Sequence, residues 1–457
     1  MNFENSIQKQ FLQLADLITK EILIQVISAP QIMQQAIEQY RSKGFYVHSR
    51  KKETTIQLLG GTVIPIQTVY MLPRQSKKKR KKRGKGRHGL LGKGVYPVLK
   101  ILGIAHRSSP ALQNEVTLSA LNNPFVEAQE ILERHGIDLS EKRVRTISES
   151  VGAQALENRD QQLEQYEQGN LEQDDTFTGK RIVISIDGGR TRTRKNKKGN
   201  KKKNNKRKGY HTDWKEPKLY KIYAIDEDGN KLDQQLPPYS DGTLDGKEKF
   251  KQILKMNIYK TNVVNADQII CIGDGAPWIW NIFDEIIEDM NINSEKVYKV
   301  LDFYHASKHL WAVIDTMPQL TQPQKIRLFK KCRRLLKQGH IESLIEMLGK
   351  KAKGNKDVHK ELEYFHGHEQ KCRYDLFIQQ NIPIGSGAIE STIRRVVNLR
   401  LKGAGMFWLK ENAEAFLHLR CQLKANRWKQ FFIKYINGAM HFTKVIPISC
   451  VFYIFIS

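Results

Sequence analysis

The sequence predicts an α/β protein, a mixed sheet with a helical insertion behind a mainly helical N-terminal region. Three observations carry this. Four short apolar runs, RIVISI, KLYKIYAI, QIICI and KVYKVL, have strand length and β-branched composition; three of them lead to Asp187, Asp274 and Asp302, and KLYKIYAI leads into the turn DEDGN. On either side, from residue 1 to about 45, from 111 to 156 and from 306 to 380, apolar residues recur at three-to-four spacing, the period of a helix with one buried face. Between the helical and strand-rich parts, residues 157–178 carry seven acids, one arginine and many glutamines, a composition that buries little and suits a linker.

At 457 residues the chain is long enough for two or three domains. Residues 1–156 read as an N-terminal DNA-binding region: an amphipathic helix, a second helix to Tyr40, the strand-like TTIQLLGGTVIPIQTVYML, and a helix-turn-helix near 126–153. In that motif Ile131 and Leu132 lie on the first helix, Gly136 breaks it and Ser140 caps the second. Val144, Ile147 and Val151 keep the buried face, leaving Arg143, Arg145 and Thr146 free to face a groove. Residues 179–430 read as the catalytic domain. Strands with acids at their ends, followed by a long basic helical stretch and one more acid on a helix, make a ribonuclease-H-like mixed sheet the economical reading, with 306–380 as the insertion. Residues 431–457 form a tail that ends in the apolar VIPISCVFYIFIS, 13 residues, too short to span a bilayer as a helix.

Charge points to the partner. Of a net +28, two internal runs hold 22: ten of the fourteen residues from Arg74 to Arg87 are basic, and twelve of the nineteen from Arg190 to Lys208, with no acid in either. Two polycationic loops on a nearly balanced body suit a polyanion such as double-stranded DNA, because each neutralised phosphate releases counterions. Lys77, Lys78, Arg80, Lys81 and Arg83 in the first run, and Arg192, Lys201 and Arg207 in the second, are the candidate phosphate contacts. The five cysteines are scattered and odd in number, which argues against a disulfide framework. The N-terminus lacks the plan of a signal peptide, and the expectation is a cytoplasmic, nucleoid-associated protein with no membrane role.

Three acids stand in apolar, glycine-marked segments: Asp187 in RIVISIDGGR, Asp274 in QIICIGDGAPWIWN and Glu390 in IPIGSGAIEST. Brought together, three carboxylates can hold two divalent metal ions about 4 Å apart, an arrangement that cleaves and rejoins phosphodiesters by in-line displacement. Beyond Glu390 the helix would present Arg394, Arg395, Arg400 and Lys402 on its exposed face to hold the attacked strand. In LDFYHASKHLW, Asp302 and His305, or His305 and His309 four apart, have metal-ligand spacing; a structural Asp–His hydrogen bond at a strand-to-helix junction explains them equally well. HGHEQKC mimics half a metal site and reads as surface loop. Trp278 and Trp280 read as core more readily than as base-stacking platforms, and GAGMFW as either a DNA approach or a packed turn.

The segments SIDGGR, GDGAPWIWN, LDFYHASKHLW and GSGAIESTIRRVVNLRLKGAGMFW, in this order, resemble bacterial insertion-sequence transposases of the ISLre and ISKra type, within the Mutator-like DDE group. The likeness covers roughly residues 90–430, and the apolar end after Lys444 departs from it. It implies Asp187, Asp274 and Glu390 as a metal-holding catalytic triad, Asp302 and His305 as an accessory pair, and a ribonuclease-H-like core behind a DNA-binding region. The expected chemistry is cleavage and strand transfer of element ends with two Mg²⁺ ions, Mn²⁺ substituting, by a homo-oligomer that synapses two DNA ends. A stand-alone nuclease, and a non-catalytic DNA-binding descendant of a transposase, remain the alternatives.

Overall fold

The structure is a computed structural model that describes residues 2–74, 94–197, 209–351, 356–403 and 405–439. Lys77, Lys78, Arg80, Lys81, Arg83, Lys201, Arg207 and the apolar tail lie outside the described residues. The chain divides into two compact units: residues up to Asn158 together with those from Lys429, and Arg159–Trp428.

In the first unit, α1 (Asn2–Ser28) and α2 (Pro30–Ser42) are separated at Ala29, where a proline at the next helix's first turn loses no hydrogen bond. An antiparallel hairpin follows, β1 (Phe45–Gln57) and β2 (Val63–Pro73), with Ile56 opposite Ile64. Buried Asp16 on α1 accepts from Gly60 N and Thr62 N, each at 3.0 Å, and so fastens the hairpin turn to the helix. The hairpin begins earlier than apolar periodicity indicates: residues 50–53 are charged and exposed, and cross-strand pairing carries them.

After α3 (Pro97–Ile101), three helices share a core: α4 (Pro110–Asn122), α5 (Phe125–Arg134) and α6 (Glu141–Glu167). Leu132, Val144, Ile147 and Val151 are buried, Gly136 takes φ +81°, and Ser140 Oγ accepts from Arg143 N at 3.3 Å. Arg143 is not free for a groove. Its guanidinium donates to Ser108 Oγ (3.1 Å) and to Arg107 O (3.3 Å). Arg145 is exposed, paired with Glu141 and set 5.0 Å from the Phe125 ring centre. The division into two units falls within the acidic stretch, at Asn158/Arg159, and α6 continues into it as far as Glu167. The stretch's single arginine, Arg159, is buried against Glu414 (2.7 Å) and Asp241 (3.5 Å), and His418 Nδ1 lies 3.0 Å from Asp241. These partners lie far along the chain, so composition alone does not reveal that the segment is anchored.

The second unit holds a mixed five-stranded sheet in the order β7 (Tyr239–Thr243), β6 (Lys218–Ile225), β3 (Arg181–Gly188), β8 (Gln268–Gly273), β9 (Val297–Leu301). β3 runs antiparallel to β6, and β6 to β7, while β3, β8 and β9 are parallel. The two parallel connections are made by α7 (Lys247–Lys260) and α8 (Pro277–Asp289), as such crossovers require. α9 (Phe303–Asp315) leads into the helical insertion: α10 (Gln322–Lys337), α11 (Ile341–Lys351), α12 (Lys356–His366) and α13 (Tyr374–Gln379). α14 (Gly387–Ile393) packs over β3 and β6, continues as a π-helical turn (Arg394–Asn398), and α15 (Lys410–Lys424) packs on β7. α16 (Trp428–Ala439) closes the described chain. Part of the second basic run is not a loop: β4 (Thr191–Asn196) pairs with β5 (Tyr210–Lys215) in a ribbon.

Candidate functional site

Parallel pairing of β3 with β8 puts the ends of both strands side by side, and with them Asp187, the penultimate residue of β3, and Asp274, the residue after β8. Glu390 arrives from above, in the first turn of α14. Burial, and then the charges of Asp274, Glu390 and Asp302, push the Asp187 carboxyl up to about 7, against the opposing hydrogen bond from Gly188 N. The strand pairing and the packing of α14 on β3 bring the three acids to one end of the sheet. Each acid nevertheless turns to a local partner: Asp187 Oδ1 accepts from Gly188 N at 2.6 Å, Asp274 Oδ1 from Ala276 N at 3.0 Å, and Glu390 Oε1 lies 3.5 Å from His305 Nε2. Among the described residues no three His, Cys, Asp or Glu side chains are gathered closely enough to hold a metal ion as they stand.

Asp302 is built differently. It is fully buried and caps α9, with Oδ1 accepting from Tyr304 N (2.6 Å) and His305 N (2.9 Å). Its Oδ2 accepts from Ser386 N (2.7 Å) and from the Ser386 hydroxyl, which ties the start of α9 to the residue before α14. Four donors occupy this carboxylate, so it fixes the geometry that presents Glu390.

The two histidines diverge. His305 faces Glu390, whereas His309 Nδ1 meets Glu361 at 2.5 Å and stacks on Tyr364 with ring centres 3.9 Å apart. The two rings therefore do not converge on one metal position, and His309 is half-buried. Tyr364, from the insertion, donates to Asp274 O at 3.1 Å, and burial, first of several causes, raises its phenol. Gly275 makes room for it: φ is +88°, and an added Cβ would come within 2.6 Å of the Tyr364 ring. His366 pairs with Glu369, His368 Nδ1 with Tyr364 O and buried Cys372 with Tyr374, so HGHEQKC is structural. Tyr364 and Glu361 gave no local signal; Ser386 stood visibly between two glycines.

Of the candidate DNA contacts near Glu390, Arg394, Arg395 and Lys402 are exposed. Arg400 is not. It is 2 % exposed and lies between Trp408 and Phe416, 5.0 and 5.5 Å from their ring centres, because the π-helical turn redirects the chain inward. On the ribbon, Thr191 and Thr193 are buried, while Arg192 sits 5.3 Å from the Trp214 ring and 4.9 Å from Phe407, and Arg194 is 5.5 Å from Tyr210. Trp408 joins the same assembly through Arg194 N to Trp408 O at 2.7 Å, so GAGMFW is largely packed against the ribbon. Trp280 is 5 % exposed and belongs to the core; Trp278 packs at its edge beneath Lys218. No helix among the described residues is long and apolar enough to cross a membrane. No protein-family model and no curated protein matches this chain.

Proposed function

We propose that the protein is a DDE transposase of the Mutator-like type, which cleaves the ends of an insertion sequence and transfers them to target DNA. The observation that carries this is the carboxylate corner: β3 and β8 end side by side at Asp187 and Asp274, and α14, packed on β3, carries Glu390 in its first turn. The strand order, three antiparallel strands continued by two parallel ones, supports a ribonuclease-H-like reading of the core. Carboxylate oxygens are hard donors suited to Mg²⁺ or Mn²⁺. Asp187, Asp274 and Glu390 would hold two such ions once their side chains turn from their present partners, and the ions would supply Lewis acidity at a phosphodiester. The chain's own residues do the rest. Asp302 and Ser386 hold the α14 entry, His305 orients the Glu390 carboxylate, and Tyr364 with Gly275 fixes the Asp274 loop. Exposed Arg394, Arg395 and Lys402, with the arginine ribbon and the two basic runs, bind duplex phosphates. A homo-oligomer pairing two ends, working at the nucleoid in the cytoplasm, completes the proposal.

The test is a cleavage and joining assay with Mg²⁺ on the element's own end sequence, wild type against Asp274→Asn. Metal-dependent nicking and joined products, both lost in the variant, are expected. Cleavage retained in the variant overturns the site; cleavage without joining makes the protein a nuclease, and binding without either a DNA-binding descendant.

A further inference from the structure

Apart from the carboxylate corner, a cavity of about 140 Å³ is lined by residues of β6, β7, α14 and α15 and of the loop after β6. Lys221, Lys231, Arg395 and Lys424 line it, and Asp233 is the acid among its lining residues. Lys221 Nζ meets Asp233 Oδ2 at 2.8 Å; the lining carries four cations and one carboxylate, three cations in excess. More positive charge stands behind. Burial and then Arg400 and Arg395 push the Arg420 guanidinium down to about 10. Burial and then Arg420 and Arg395 lower the Lys424 ammonium, and burial and then Lys221 lower that of Lys231, with Asp233 opposing. Arg420 donates to Val396 O at 2.8 Å and to Arg395 O, so the charge open to a ligand is that of the cavity lining itself, and an anion is the group such a lining attracts.

Asp233 narrows the choice of anion. Its Oδ1 is buried and has no hydrogen-bond partner. A carboxylate oxygen only accepts, so it repels a fully ionised oxyanion and welcomes one that carries an O–H. Phosphate retains a proton at neutral pH; sulfate and the phosphodiesters of nucleic acid do not. We propose that this cavity binds phosphate in a protonated form, as inorganic phosphate or, in the roughly one-tenth that keeps a proton at pH 7, as a terminal phosphate monoester, in preference to sulfate and to phosphodiester. Lys231, Lys424 and Arg395 supply the charge-assisted contacts and Asp233 Oδ1 the selectivity. The site does not depend on the metal-site reading.

The experiment is calorimetric titration of the full chain at pH 7 with inorganic phosphate and with sulfate at matched ionic strength. Phosphate is expected to bind about tenfold more tightly than sulfate, one hydrogen bond's difference. The double variant Lys231→Gln, Lys424→Gln is expected to lose at least about tenfold in phosphate affinity. Asp233→Asn, whose amide can donate, is expected to gain sulfate affinity until the two anions bind alike, a gain that unfolding cannot produce. Equal binding of both anions by the wild type, undiminished phosphate binding by the double variant, or an intact preference in Asp233→Asn overturns the proposal. Two sources are then separated by competition. Displacement of phosphate by a short 5′-phosphorylated oligonucleotide identifies a nucleic-acid end, and failure to displace identifies the free anion; equal displacement by the unphosphorylated oligonucleotide overturns the selectivity.

Discussion

Asp187 and Asp302 look alike in the sequence, each following an apolar strand, yet the fold uses them in opposite ways. Asp302 is buried with four donors on its two oxygens, two from α9 and two from Ser386. Asp187 is partly buried with one short bond from its neighbour Gly188; burial first, and then the like charges around it, raise it to about 7. A satisfied carboxylate serves architecture, whereas an under-satisfied one among other acids is poised to take a cation or a proton. Burial does not separate the two roles; the supply of donors does.

Substitutions that treat the two regions alike should therefore give unlike results. On the function proposed above, the largest effect expected is on chemistry: Asp274→Asn should lower DNA cleavage by ~10⁴-fold or more in a single-turnover assay while leaving DNA affinity nearly unchanged. Next comes Asp302→Ala, which strands buried donors of Tyr304, His305 and Ser386 and should cost about 3 kcal/mol in urea unfolding. A neutral result there would erase the distinction drawn between the two acids. Arg400→Ala should cost about 2 kcal/mol by the same measurement through lost packing against Trp408 and Phe416. Exposed Arg394→Ala should instead leave stability unchanged and weaken DNA binding.

Smaller, and opposite in sign to Asp302→Ala, is the effect of Asp187→Asn. The ordinary carboxyl titrates near 3.8 and the folded one near 7, so between these values the folded chain holds a proton that the unfolded chain has released. Stability then falls as pH rises from about 4 to 7, and removing the charge should raise Tm at pH 8 by roughly 3 °C in a thermal scan. A lowered Tm would mean that Asp187 is satisfied after all. Tyr364→Phe should be the mildest, costing about 1 kcal/mol for its bond to Asp274 O, a difference readable in the urea midpoint.

Much of the fold was legible. β3, β6, β8 and β9 fall on the four apolar runs, and the helices from residue 303 to 379 fall on the stretch whose period is helical. What failed had a common origin. The charged start of β1, the strand in the second basic run and the helix through the acidic stretch are all held by partners elsewhere, namely β2, β5 with Trp408, and Asp241 with Glu414. Arg143 and Arg400 read as surface cations for the same reason, since Ser108, Trp408 and Phe416 are invisible from a local window.

The sequence by itself determined four of the five sheet strands, the helical stretch before Glu390 and the residues from which a carboxylate site could be made, because apolar period, glycine and strand-end acids are local properties. Only the tertiary structure decided which acid is capped and which is left among like charges. Ser386 is 84 residues from Asp302, and the charges on Asp187 come from Asp274 and Glu390. An acid's role is set by what surrounds it in space, and those surroundings arrive from segments that no spacing rule connects.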